Sequence, residues 1–317
     1  MPRSEGRSNL SLRPLAISQS LLSRADGSSQ FSFGNVTVLT SVTGPTEVRL
    51  REELVDRATL EFNLNPLVGL PGPRVKSMEE TIETLFSHLI LSNLYPRSLI
   101  QITSQTTSSP STLYSEPFST TILEEEDAST RKKGKGRGKG GKGVGEQAAR
   151  INSITMALID SGVQLRGLLV AVAVAFLPTT TTEGGEEDEM VLDPDCFEEE
   201  KATSTHVVTV GFGEGVGGKE GQVVGTESLG RFSQDQLFEA QDVALEATRT
   251  IFGFMRKSIE AKYGVETSST SPATTTTPTT EGSGKGDKGE IKMCVAEEGR
   301  EMSDFEEGES SEDEVMI

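Results

Sequence analysis

Residues 168–177, Leu-Leu-Val-Ala-Val-Ala-Val-Ala-Phe-Leu, form an unbroken apolar run of ten. A helix that crosses a bilayer needs about 20 such residues, so this run has half the necessary length. A strand with one wet face would alternate apolar with polar side chains, and this one does not. The run is therefore expected as a central β-strand buried on both faces, which needs covering layers on each side of its sheet. Two tracts of the 317 residues cannot supply them. Residues 107–146 are rich in Ser, Thr, Gly and Lys, and residues 266–317 are first Thr/Pro/Gly-rich and then acidic. Both would bury too little apolar area to offset the entropy of ordering, so both are expected to be disordered. The 225 residues left can build one α/β domain or two similar halves sharing a core. The expected organisation is a flexible N-terminus over residues 1–11, a domain over 12–265 interrupted by the 107–146 insertion, and a disordered acidic tail over 266–317.

Strands are expected at residues 15–22, 30–33 and 36–42, with turns at Asp26-Gly27 and Gly34-Asn35, pairs that tolerate positive φ. Gly44-Pro45 should end the third strand. Residues 47–51 and 58–64 continue the sheet, the latter with Leu60, Phe62 and Leu64 on one face, and the proline-rich residues 66–73 form a loop. Ser77 and Glu80 have capping-box spacing, which predicts a helix starting at Ser77 and closed by Pro96, with Ile82, Leu85, Phe86, Leu89 and Ile90 on one face. A short strand follows at 99–103. After the insertion, Ile151, Ile154 and Leu158 share a face of a second helix that ends at Gly162. A long hairpin at 179–189 leads to strands at 190–192, 205–212 and 222–225. The last helix is the most clearly marked. Ser233 caps it, Gln236 holds the capping-box position and Gly264 follows its end, while Leu237, Ala240, Val243, Ala244, Ala247, Ile251, Met255 and Ile259 line its buried face.

Net charge is −19, and its distribution argues against a freestanding nucleic-acid binder, which usually has a basic domain. Residues 147–265 hold nine basic against nineteen acidic residues, and the tail four against fourteen. The basic charge concentrates in residues 131–142, where Arg131, Lys132, Lys133, Lys135, Arg137, Lys139 and Lys142 sit among glycines. That run can contact RNA phosphates without sequence preference, act as a nuclear import signal, or be a solvated linker neutralised by neighbouring acids. His88 and His206 are the only histidines, and Cys196 and Cys294 the only cysteines, with no metal-ligand spacing among them. A reducing compartment is expected, with no metal and no cofactor. The N-terminal Met-Pro-Arg-Ser-Glu-Gly-Arg lacks an apolar core, so no secretory signal and no membrane partner are expected. The glycines of 211–221 lack the lysine-serine and strand–helix context of a phosphate loop and are expected as a hairpin. Acids 186–189 read as a solvated loop. Ser303, Ser310 and Ser311 each precede an acid by three residues, the spacing of an acid-directed kinase site.

Ala25-Asp26-Gly27-Ser28, Phe33-Gly34-Asn35-Val36-Thr37-Val38, Ala157-Leu158-Ile159-Asp160-Ser161-Gly162-Val163 and Leu192-Asp193-Pro194 with Glu199-Glu200 together resemble the RNase PH family. The resemblance implies an α/β fold of the α+β type: two similar β-rich halves with amphipathic helices packed on mixed sheets. Active members degrade RNA from its 3′ end with phosphate, and they carry Gly-Gly-Thr-Arg just before the helix ending Ala-Leu-Ala-Asp-Ala. Counting back from residues 157–161 puts that Thr-Arg pair on Glu146 and Gln147. Glutamate repels phosphate and glutamine offers no charge. Arg150 is a nearby substitute ligand or else a surface arginine. The family's two acids, anchored on Val207-Val208, fall on Glu198 and Ser204, and a serine hydroxyl cannot act as an acid near neutral pH. Residues 78–94 contain no Arg or Lys, whereas active relatives use arginines on that helix. With catalytic and phosphate positions degenerate at Glu146, Gln147, Glu198 and Ser204, the resemblance implies a non-catalytic ring subunit of the RNA exosome. Its implied partners are other RNase PH-like subunits in a six-membered ring, cap subunits with RNA-binding domains, and RNA threaded through the complex. Expected locations are nucleus, nucleolus and cytoplasm, and expected processes are ribosomal RNA maturation and turnover of messenger and aberrant RNA. The rival reading is a phosphate-dependent 3′ exoribonuclease acting alone or as a homodimer; a third is a basic-loop RNA-binding module.

Overall fold

The computed structural model describes residues 3, 6–110, 143–180, 186–264 and 291–293. Its strands are β1 (Leu15–Gln19), β2 (Gly27–Phe33), β3 (Val36–Glu47), β4 (Thr59–Asn65), β5 (Ser98–Ser108), β6 (Leu168–Thr180), β7 (Glu186–Leu192), β8 (Ser204–Gly213), β9 (Gly218–Gly230) and β10 (Ile291–Met293). Its helices are α1 (Pro73–Leu89), α2 (Val144–Ser161), α3 (Cys196–Lys201) and α4 (Gln234–Tyr263), with a 3-10 turn at Ser92–Leu94. One sheet runs β10-β1-β2-β3-β5-β4 and the other β7-β6-β8-β9. Pairing is antiparallel throughout except between β4 and β5, so the first sheet is mixed. None of the described helices is long and apolar enough to cross a membrane.

The apolar run occupies β6, between β7 and β8. Every residue from Leu169 to Phe176 is buried, because α2 packs against β6 and β8, and α4 packs on the same strands and on β9. Helix α2 also lies on β2 and β3, so it fills the space between the two sheets. The sequence pattern of α2 suggests one apolar face; the structure buries all of residues 147–158. Its polar residues survive there because each finds a hydrogen-bond partner, without which a buried polar group costs about 1–3 kcal/mol. Asn152 exchanges two hydrogen bonds with the backbone of Ala171 at 2.8 and 2.9 Å, and Thr155 Oγ1 donates to the Leu169 carbonyl. Ser153, the next residue round the helix from Asn152, holds the opposite sheet through the carbonyls of Ser29 and Val38.

Several expectations are corrected. Helix α1 starts at Pro73 with Gly72 as its cap, not at Ser77, since proline at the first helical position carries no N–H that needs a partner. It stops at Leu89 because Ile90 turns extended and bridges Leu165, so Pro96 plays no part. Strand β3 continues through the cis Gly44-Pro45 bond, its ladder accommodating the proline by a register shift between Thr43 and Thr46. Asp26-Gly27 is not a positive-φ turn; among the described glycines Gly34 is at φ 52°, but Gly27 begins β2. Acids 186–189 belong to β7 rather than to a loop.

The boundaries of the insertion and tail also move. Strand β5 extends to Ser108 and α2 begins at Val144, both inside the tract read as disordered, and β10 takes Ile291–Met293 from the tail to pair with β1. Within the segment expected to be flexible, Arg3 is held in place: it is buried and donates to the carbonyls of Ser8, Leu192 and Asp193. The basic run with Arg131, Lys132, Lys133, Lys135, Arg137, Lys139 and Lys142, and the tail serines, lie outside the described residues.

Helix α4 matches its expected caps. The Ser233 side chain accepts from the Gln236 N–H, the Gln236 side chain accepts from the Ser233 N–H, and Gly264 closes the helix at φ 64°. Ser233→Ala should cost about 1 kcal/mol, lowering the melting temperature by roughly 2–4 °C in a domain of this size; an unchanged melting curve would show that the cap is dispensable.

Candidate functional site

The first N–H groups of a helix have no partner within it, and they form the natural seat for an anion. Helix α2 presents such a start, after Gly143 in left-handed backbone at φ 64°. The seat is filled from inside. Gly143 N donates to Glu199 Oε2 at 2.8 Å and Gly145 N to Glu199 Oε1 at 2.9 Å. Glu199 arrives on α3, a short helix fixed by a capping box between Asp195 and Glu198. The packing is close: a Cβ at Gly145 would lie 3.1 Å from Arg13 Nη2 and 3.2 Å from Glu199 Oε1. Burial pushes the Glu199 carboxyl above its ordinary range, against the opposing pull of the Gly145 and Gly143 N–H groups and the Arg13 charge.

Beneath it lies a buried ion pair. Arg13 Nη2 and Asp193 Oδ1 are 2.5 Å apart, while Arg13 Nε and Arg13 N both donate to Asp193 Oδ2 at 2.9 Å. Burial alone would lower the guanidinium pKa; Asp193 outweighs it and leaves Arg13 raised, so the guanidinium keeps its charge. This pair carries the N-terminal segment onto the turn that precedes α3.

The residues expected at the degenerate positions take separate roles. Glu146 does sit in the first turn of α2, where it pairs with Arg150 at 2.6 Å and accepts from Thr106 Oγ1 at 2.5 Å. Arg150 is not a surface residue: only 3% of it is exposed. Its Nη2 donates to Asn65 O at 2.9 Å and Thr106 Oγ1 at 2.7 Å, so it ties α2 to β4 and β5 and is already engaged by four oxygens including Glu146 and Ser104 O. Gln147 is buried and donates to Glu227 on β9. Glu198 points the other way, to Arg3 at 3.2 Å, and that hydrogen bond overcomes burial to hold its carboxyl below the ordinary range. Ser204 is buried under His206, its hydroxyl 3.2 Å from the ring Nε2, while Nδ1 meets Ser228 at 2.8 Å. His206 is thus a core residue between Phe176 and Phe232, and His88 is exposed. Glu146 and Gln147 share the α2 start; Glu198 and Ser204 belong to other networks.

The carboxylate that reaches the site is Glu199, one residue beyond the sequence assignment. The Glu-Glu-Glu run signals an acid there, but counting from Val207-Val208 cannot say which one turns inward. No local pattern marks Arg13. The expectation of a helix lacking basic residues also changes, because the earlier start of α1 brings in Arg74 and Lys76, the latter paired with Glu79 at 3.0 Å.

At the far end of α2, Asp160 accepts from Ser28 N at 2.9 Å, from Ser20 Oγ and from Lys262 of α4. Burial would raise its pKa, but the bonds from Lys262, Ser28 and Ser20 leave it lowered. Such a group contributes stability above its unfolded pKa of about 3.9, which is lost as pH falls through the folded value. Lys262→Met should raise the folded pKa and so shrink the stability difference between neutral pH and pH 3. Urea midpoints at both pH values read this directly, and an unchanged difference would rule the pairing out.

The chain matches the 3′ exoribonuclease family, domain 1, over residues 11–164 and the same family, domain 2, over residues 167–247. It is 27% identical over 242 residues to the exosome complex component RRP46 of Saccharomyces cerevisiae, covering 76% of this chain and 92% of that protein. Against the exosome complex component Rrp41 of Archaeoglobus fulgidus it is 26% identical over 274 residues, 82% of this chain and 87% of the other. Among solved structures, rice (Oryza sativa) Rrp46 superposes with a TM-score of 0.61 at 22% identity, covering 81% of this chain and 100% of that one, which supports the shared fold. Both family domains, in order over residues 11–164 and 167–247 and with the α2 start inside the first, make this chain a member of the RNase PH-type 3′ exoribonuclease family.

Proposed function

We propose that this chain is a non-catalytic ring subunit of an RNA exosome, helping to pass RNA to a separate nuclease. One observation carries the proposal: the anion seat at the start of α2 is occupied by the chain's own Glu199, flanked by Glu146. A phosphate brought there would meet two carboxylates, and Arg150 is committed to Glu146 and to core oxygens. The relatives named as exosome components support the ring assignment. So does β9, an edge strand with Val224 and Leu229 exposed, near Phe232 and Phe238 at the start of α4. A long unpaired edge with exposed apolar residues favours a partner subunit. The proposed neighbours are RNase PH-like subunits closing a six-membered ring under RNA-binding cap subunits. The proposed setting is ribosomal RNA processing and RNA turnover in nucleus, nucleolus and cytoplasm.

The test has two arms. Affinity purification from the native host should recover other RNase PH-like chains in stoichiometric amount. The purified chain, given RNA and inorganic phosphate, should release no more nucleoside diphosphate than a blank. Phosphate-dependent release that collapses in Glu199→Ala would establish an enzyme instead. Within this reading, Arg131, Lys132, Lys133, Lys135, Arg137, Lys139 and Lys142 are proposed to hold RNA phosphates. Deleting residues 125–143 should weaken RNA binding by the assembled complex and flatten its salt dependence; unchanged affinity would discard that role.

A further inference from the structure

Where β9 ends and α4 begins, Leu229, Phe232 and Phe238 stand 38%, 41% and 51% exposed. Single apolar residues scattered over a surface are ordinary; two aromatic rings and a leucine at one corner mark a contact. Both rings lie on the α4 side of the second sheet. Phe232 packs edge-on against His206, which shares its face of β8 with Phe212, and Phe212 stacks on Phe252 of α4 at 4.6 Å. Gln241 of α4 donates to Thr226 of β9 at 3.1 Å, and Phe238, three residues earlier on that helix face, stands over the next part of the strand. The corner is rigid. His206 is wedged between Phe232 and Phe176, with ring centroids 4.9 and 5.6 Å away, and its Nδ1 meets Ser228 of β9 at 2.8 Å. Gly230 takes φ 113° and leaves no room for a Cβ against the Thr203 carbonyl oxygen, so the end of β9 is pressed onto the chain before β8. The capping box at Ser233 then fixes the first turn of α4, which Gln236 ties to Asp188 of β7 at 3.0 Å. Anchors held in place beforehand lose little freedom when a partner covers them.

The charge around these anchors selects what can cover them. Asp235 and Asp242 flank Phe238 at i−3 and i+4 on the helix surface, Glu239 is adjacent, and all three are exposed. Arg231 is the one basic residue between positions 224 and 242. Such a rim repels RNA phosphates and complements a positive protein surface. We propose that this corner seats a neighbouring protein chain whose apolar cleft takes Phe232 and Phe238 and whose rim sets Lys or Arg against Asp235, Glu239 and Asp242. The inference rests on the reading of this chain as a ring subunit, and it gives the contact beside β9 its chemistry. Truncating an aromatic anchor of this kind weakens binding by about 30-fold or more, whereas reversing rim charges acts on the association rate and its salt dependence.

The complex purified from the native host through a tagged full-length chain supplies the neighbour and the test. Phe238→Ala should weaken rebinding of that neighbour by about 30-fold, and Asp235→Lys with Asp242→Lys should slow its association. Phe232→Ala also removes a contact to His206, so the substitutions at Phe238, Asp235 and Asp242, checked by unchanged melting curves, separate docking from folding. A benzophenone photo-crosslinker in place of Phe238, in the same complex, should join this corner to a positively charged peptide of a different RNase PH-like chain. Crosslinks to RNA or to a second copy of this chain would overturn the proposal. So would substituted chains that hold the same ring subunits as tightly as the native chain, an outcome that leaves the ring reading standing and moves the contact elsewhere. A native chain that recovers no RNase PH-like subunit would end the ring reading and this inference with it.

Discussion

Asp193→Ala is expected to lower the free energy of unfolding by about 3–5 kcal/mol, the usual cost of removing one member of a buried pair and leaving the other uncompensated. Arg13 would then stand with 4% of its side chain exposed and three hydrogen bonds lost. Asp195, 4.0 Å from Arg13 Nη1 with 20% of its side chain exposed, is too distant to be a good substitute. A domain has roughly 5–15 kcal/mol in total, so this one side chain holds a large share. Urea denaturation of the full chain measures it. The double variant Arg13→Met with Asp193→Leu should recover much of the loss, because two apolar groups leave no buried charge behind. If Asp193→Ala costs under about 1 kcal/mol, the scale of a surface pair, the reading of this pair as the anchor of the N-terminal segment fails. The expected loss has a functional corollary: the same pair supports the turn into α3, so Glu199 should let go of the α2 start, and α2 amide exchange at Gly145 should quicken.

Gly27→Ala is the second large effect. The added Cβ would sit 2.4 Å from Ser161 N and 2.5 Å from Ala157 O. Both are backbone atoms of α2, which cannot rotate away as a side-chain tip can. Neither element is free to slide: Ser28 N holds Asp160 at 2.9 Å and Ser29 Oγ holds Ser153 O at 2.6 Å. Overpacking costs typically about 1–3 kcal/mol and more where backbone must move, so a loss of about 3 kcal/mol or greater is expected. Gly253 is the control. It lies within α4 with no atom inside 4 Å of a built Cβ, so Gly253→Ala should stabilise by roughly 0.5–1 kcal/mol through helix propensity. Equal effects of the two substitutions would show that close approach at Gly27 does not govern its identity.

The legible features were those whose cause lies within a few residues. Ser233, Gln236 and Gly264 delimit α4 because capping is a contact across one helical turn. The run at 168–177 announced a strand covered on both faces, because burial on both sides excludes polar residues from every position. Glu146 and Gln147 lie at the start of α2, and the count back to them from Asp160 runs along a single continuous helix. That Glu199 is the acid reaching the α2 start was not legible, because α3 begins only at Cys196, after an irregular turn through Asp193 at φ 49°, where counting has no period to follow.

Local chemistry in the chain alone determined the caps of α4 and the buried strand β6, and the resemblance of its motifs to the RNase PH family implied the fold. Only the folded arrangement decided that Arg150 is a buried tie rather than a surface residue. It also turned Glu199 inward, and it made Gly27 a point of contact between strand and helix rather than a turn. Those outcomes join residues more than 40 positions apart, as Arg150 with Asn65 or Gly27 with Ser161. A period or a motif reads neighbours along the chain; distance in space is set only when the sheets close on α2.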